Sequence, residues 1–184
     1  MKKAVLLINP RSNSGFTEMH VPSTGLSYVA GYLFSKGIAV HGIDAKLENL
    51  TPEEVVSRAR ALAFDVVGIT AMTPDVKAAN IIARGIKQIN PSALIVVGGA
   101  HAIAMQEETL LEFDGFDVAC VCEGELVIHE LVESYCKKGD TKEFDKITGI
   151  IYRDRTGHLV RTGERSPIEN LDLLPFPKWD LFPS

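Results

Sequence analysis

The chain gathers its chemically useful residues into five short segments: Asn9-Pro10, Ser23-Thr24-Gly25-Leu26, Thr70-Ala71-Met72-Thr73, Gly98-Gly99-Ala100-His101 and Glu123-Gly124-Glu125. Together they offer hydroxyls, bare backbone, one imidazole and two carboxylates. A glycine pair strips side chains from the main chain and lets a flat or bulky group approach it, although a tight turn would use the same two residues. Thr24 and Gly25 supply free amide donors at a helix start. Thr70 and Thr73 add hydroxyls. Glu123 and Glu125 either accept hydrogen bonds from a ligand or answer the dipole of a helix beginning at Gly124. This is equipment for holding a wide ligand against backbone. No Ser-His-Asp set, paired carboxylates or His-Glu-x-x-His motif supports hydrolysis. Gly98-Gly99 does not extend to G-x-G-x-x-G, and no P-loop run follows any strand, which weakens the common nucleotide readings.

Four of these segments directly follow an apolar run, and the fifth closes the long loop after the first run. Apolar runs over residues 4–8, 38–43, 66–70, 94–97 and 118–122 read as strands buried on both faces. Between them, helices are expected over residues 24–35, 74–89, 103–113 and 126–138, with a further one opened by Thr51-Pro52-Glu53-Glu54. There Thr51 caps, Pro52 takes the first turn, and Glu54 completes a capping box. Strands apolar throughout, alternating with amphipathic helices, predict an α/β fold. Right-handed crossovers make it a doubly wound, flavodoxin-like, five-stranded parallel sheet of order 2-1-3-4-5. All five chemical segments then lie at the carboxyl edge of the sheet, where such folds bind ligands. Beyond it, Asp154-Arg155-Thr156-Gly157-His158 is the turn of a C-terminal β-hairpin. The proline-rich residues 167–184 read as an extended linker leading to something further. The divisions are residues 1–140, 141–166 and 167–184.

A net charge of −5 argues against a nucleic-acid platform. No apolar stretch approaches the ~20 residues of a membrane span, and the first run is too short for a secretory signal, so the cytoplasm is expected. Of the three cysteines, Cys120 and Cys122 are expected to be core residues in a reducing compartment, and Cys136 sits near the end of a helix with no obvious partner. Cys120 and Cys122 are read as facing opposite sides of a strand, which keeps them from sharing a metal. His101 reads as a helix-start or hydrogen-bonding residue before a metal ligand, and His20 is open between roles. His41 reads as structural, and His129 and His158 as exposed.

Taken in order, these pieces resemble one family, the N-terminal cobalamin (vitamin B12)-binding domain of class B radical S-adenosylmethionine enzymes. The resemblance runs through Val5-Leu6-Leu7-Ile8-Asn9-Pro10, residues 22–33, residues 65–74, Val97-Gly98-Gly99-Ala100-His101, Glu123-Gly124-Glu125, the hairpin start at 149–153, and the linker at 174–183. It implies that loops at the strand ends hold a corrin: Asn9, Pro10, Ser23, Thr24, Gly25 and Leu26, with Thr70, Met72, Thr73, Gly98 to His101 and Glu123 to Glu125 along its lower face and nucleotide tail. It also implies that the linker leads in cis to a radical domain using S-adenosylmethionine and a 4Fe-4S cluster. That domain's Cys-x-x-x-Cys-x-x-Cys motif is absent from these 184 residues, so the module is expected to present the corrin rather than to catalyse, within a methyltransferase or an oxidative cyclase. Other B12 domains place a cobalt-ligating histidine in Asp-x-His-x-x-Gly. His20 lacks that aspartate, and no histidine ligand to cobalt is expected from this loop. A cofactor-free recognition domain and a flavin or nucleotide binder remain as alternatives on the same fold.

Overall fold

The computed structural model describes residues 3–11, 22–139 and 141–182. His20 lies outside the described residues. The elements are β1 (Ala4–Asn9), α1 (Thr24–Ser35), β2 (Ala39–Asp44), α2 (Pro52–Ala59), β3 (Val66–Thr70), α3 (Val76–Ile89), β4 (Leu94–Gly98), α4 (Ala100–Met105), α5 (Glu107–Glu112), β5 (Val118–Cys120), α6 (Gly124–Lys138), β6 (Ile150–Arg153) and β7 (Leu159–Arg161). Helix starts follow local chemistry. Ser23 accepts from the Leu26 amide to cap α1, and Thr51 and Glu54 close a reciprocal capping box on α2. Gly139, at φ 66°, ends α6 in the left-handed conformation that glycine adopts without strain.

The strands form one sheet in the order β2-β1-β3-β4-β5-β6-β7. β1 to β5 pair in parallel, and β6 and β7 join antiparallel. The sheet is therefore mixed and seven-stranded, which corrects the expectation of a five-stranded parallel sheet carrying a separate hairpin. The cause is the path after α6. Residues 141–149 carry the chain back to the carboxyl end of β5, where Val121 donates to the Gly149 carbonyl. From there the next strand can only run back along β5. Ile150, Ile151 and Tyr152 are buried by doing so, and an otherwise open three-residue edge gains partners.

Alternate residues of the strands feed two cores. Leu6, Ile8, Val67, Ile69, Ile95 and Val97 meet α2, α3 and the short helices on one face. Val5, Leu7, Val66, Val96, Val118 and Cys120 meet α1 and α6 on the other. The helix expected over 103–113 begins instead at Ala100 and breaks at Gln106, whose φ of 50° interrupts it between α4 and α5. The break is held from the hairpin, because Arg161 donates to the Gln106 side chain at 2.5 Å and pairs with Glu107.

The C-terminal segment does not run free as an extended linker. It makes short 3-10 turns at Leu171–Leu173 and Trp179–Leu181, and Lys178 donates to the Ser27 carbonyl at 2.8 Å. The Phe176 carbonyl lies against Gly31 of α1. Phe182 is buried over Gly42 of β2. Trp179 stays 45% exposed, and Phe176 94%. Among the described residues no helix is long and apolar enough to cross a membrane.

Candidate ligand cavity

Between the first turns of α1 and α6, at the carboxyl end of β1, β3, β4 and β5, the structure holds a cavity of about 220 Å³. Strand register builds its floor in two rungs. Leu7, Gly68 and Val96 stand side by side on the inner rung. Thr70 and Gly98 are partners on the outer rung, and Cys120 flanks Gly98 there. Gly25, Leu26 and Val29 of α1 form one wall, and Gly124, Glu125 and Ile128 of α6 the other. Ile103, Gly99, Cys122 and Glu123 border the mouth.

The two adjacent glycines have different reasons to be glycine. Gly99 has φ 90°, and a Cβ there would stand 2.8 Å from Thr70 Oγ1 and 3.0 Å from the Ala71 carbonyl oxygen. It is required by the turn. A Cβ on Gly98 would meet only the Cβ of Cys120, at 3.8 Å, an ordinary contact. Among the described residues no atom demands a glycine at 98, and its missing side chain is volume added to the cavity. At Gly68 a Cβ would approach Leu7 Cδ2 at 2.9 Å, so the inner rung is bare for packing as well as for space.

Of the residues singled out from sequence, Gly25, Leu26, Thr70, Gly98, Gly99, Glu123, Gly124 and Glu125 line this cavity. The others do not. Ser23 caps α1. Thr24, Met72, Thr73 and Ala100 are exposed on the same edge of the sheet. Asn9 and Pro10 are buried, and Asn9 donates to Asp44 at 3.0 Å across the ends of β1 and β2. His101 turns away to the opposite core, edge-on to Phe113. Its Nδ1 lies 3.2 Å from the Thr73 hydroxyl, its Nε2 is sealed with no partner among the described residues, and burial pushes its pKa down, partly opposed by Glu112. Sequence reading missed Leu7, Gly68, Val96, Ile128 and both cysteines. Counting back two residues from Thr70 and Gly98 would have found the inner rung, because residues two apart on a strand share a face.

The same parity corrects the cysteine reading. Cys120 and Cys122 face one side and line one cavity. The Cys120 thiol lies 3.5 Å from the Cys122 carbonyl oxygen. A hydrogen bond from Cys120 and the nearby Arg165 guanidinium lower the Cys122 pKa, whereas that bond and burial raise that of Cys120. Burial also raises the Glu125 carboxyl, with Glu123 adding like-charge repulsion. Glu123 accepts from the Ile168 amide at 2.7 Å, tying the mouth of the cavity to the C-terminal segment. His129 is half-buried edge-on to Tyr32, not exposed as expected.

Residues 17–132 match the family model of the B12 binding domain, and the chain belongs to that family. It is 32% identical over 180 residues to an anaerobic magnesium-protoporphyrin IX monomethyl ester cyclase of Rubrivivax gelatinosus, covering 96% of this chain and 32% of the cyclase. It is 31% identical over 182 residues to an uncharacterised methyltransferase of Pyrococcus horikoshii, covering 97% and 39%. The chain thus spans about a third of the length of the curated relatives it matches. Two solved structures share the fold. One is the cobalamin-dependent S-adenosylmethionine radical enzyme OxsB with aqua-cobalamin bound, at TM-score 0.78 and 18% identity, covering 97% of this chain and 24% of that one. The other is the radical S-adenosylmethionine methyltransferase TsrM of Kitasatospora setae with cobalamin and an iron–sulfur cluster bound, at TM-score 0.74 and 22% identity, covering 89% and 31%.

Proposed function

We propose that this chain is the corrinoid-holding module of a larger cobalamin-dependent radical S-adenosylmethionine enzyme, of methyltransferase or oxidative cyclase type. The observation that carries this reading is Gly98. It is a glycine that no described residue requires, placed where its absent side chain enlarges a cavity between two helix starts at the ligand-binding edge of the sheet. The residues present fit the group. An apolar slot floored by Leu7, Gly68, Val96 and Gly98 suits the nucleotide base of a corrinoid tail, and Thr70 and Glu125 suit its sugar. The first-turn amides of α1 suit its phosphate. Exposed Met72, Thr73 and Ala100 would stand under the ring, with Asn9, Pro10, Ser23, Thr24 and His101 shaping the loops around it.

Bound there, the cofactor supplies a cobalt centre able to carry an alkyl group, while this chain's residues bind, orient and exclude water. Residues 1–140 would hold the corrin, 141–166 would complete the sheet, and 167–184 would bridge to a radical domain in the cytoplasm carrying S-adenosylmethionine and a 4Fe-4S cluster. The test is reconstitution with hydroxocobalamin, desalting and a visible spectrum. Stoichiometric corrin absorbance is expected. Loss of all corrin would count for a cofactor-free recognition domain, and retention of flavin instead would count for the other alternative.

A further inference from the structure

We infer that the cavity selects among corrinoids by their lower base, taking an alkylated benzimidazole in preference to a purine. The inference rests on the cobalamin reading above and concerns what the deep end of the cavity will tolerate. Its inner rung is Leu7, Gly68 and Val96, roofed by Leu26 and Val29 on one side and Ile128 on the other. None of these six carries a polar side-chain atom. The backbone groups beneath them are committed as well, since Leu7, Gly68 and Val96 lie inside paired parallel strands. Among the described residues the side chains able to exchange hydrogen bonds, Thr70, Glu123 and Glu125 with the weaker thiols of Cys120 and Cys122, belong to strand ends and to the start of α6. The cavity is thus graded, aliphatic at depth and polar at the mouth.

A base entering such a slot is sorted by its far edge. A methylated benzimidazole ring presents only carbon there and exchanges water for Leu7, Val96 and Ile128. A purine carries nitrogen around both rings and, in adenine, an exocyclic amine. An orientation that carries the ring past Thr70 and the cysteine thiols to the inner rung leaves at least one of these groups stripped of water and unpaired. A buried unsatisfied donor or acceptor of this kind costs about tenfold or more in affinity. Gly98 and Cys120 stand where the graded wall turns from aliphatic to polar. A side chain at 98 therefore closes the route to depth with little change to the mouth.

The experiment titrates the full chain with three corrinoids, following corrin absorbance and heat of binding. They are cobalamin, the adenine-tailed analogue, and cobinamide, which has no tail. Cobalamin is expected to bind at least about tenfold more tightly than the adenine form, with cobinamide also weaker. Gly98→Val should bring the ratio of cobalamin to cobinamide affinity towards one, and far-ultraviolet circular dichroism reports whether the variant is folded. A milder Gly98→Ala should move the ratio in the same direction. Equal or tighter binding of the adenine form overturns the inference and leaves the cobalamin reading standing, as does cobinamide binding as well as cobalamin. Failure of all three to bind overturns both.

Discussion

At the scale of single residues, the chain separates a glycine that the backbone requires from one that adds volume to the cavity. Gly99→Ala forces a side chain into positive φ and against Thr70. It should cost about 1–3 kcal/mol in urea unfolding, whereas Gly98→Ala should stay within about 1 kcal/mol of the parent. Glu125 makes a second residue-level prediction. Burial raises its folded pKa above that of the unfolded chain. Between those two values the folded protein keeps a proton that the unfolded chain has released, so stability falls as pH rises through that window. Glu125→Gln should therefore raise the melting temperature near neutral pH and leave it unchanged below about pH 4, where both states are protonated. An equal shift at both pH values would refute the assignment. Both glycines were visible in sequence as a pair, but their division was not. It depends on what surrounds each Cβ, and those neighbours come from β3 and β5.

At the scale of elements, local chemistry made the starts of α1 and α2 legible. Ser23, Thr51 and Glu54 bond amides three residues from themselves, and Pro52 presets the backbone of the first turn of α2. The break at Gln106 was not legible, because Ala102, Leu110 and Phe113 continue an apolar period across it, and the side chain that holds it comes from β7. The folded-back C-terminal segment escaped for a similar reason: the four prolines of residues 167–184 describe an extended chain, but not the glycines it lies against. Gly31 admits the Phe176 carbonyl where a methyl group would clash. Gly31→Ala should lift the segment from α1, break the bond from Lys178 to Ser27, and leave the sheet intact. Trp179 is the single tryptophan, so its fluorescence should shift to the red and proteolysis within residues 167–182 should accelerate. Unchanged emission and cleavage would mean that the contact does not hold the segment.

At the scale of the whole molecule, the sheet is closed on one side by strands that the alternating pattern did not assign to it. The first five strands announce themselves as apolar runs between helices. The sixth was legible as half of a hairpin, but its pairing with β5 was not, because it depends on where residues 141–149 deliver the chain. Phe144 packs edge-on to Tyr152 at 5.5 Å beneath α6, so this return path is part of the second core. A chain ending at residue 148 should lose its cooperative thermal transition and elute as aggregate in gel filtration, having opened β5 as a bare edge. One ending at residue 166 should retain the transition. The contact between the C-terminal segment and α1 has a kinetic consequence. Gly31 and Gly42 are covered by Phe176 and Phe182, residues made long after them. During synthesis at about 5–20 residues per second, that gap lasts on the order of ten seconds. For that interval the face beside α1 is exposed on the ribosome, and its closure should follow the formation of helical and strand signal as a separate, later phase.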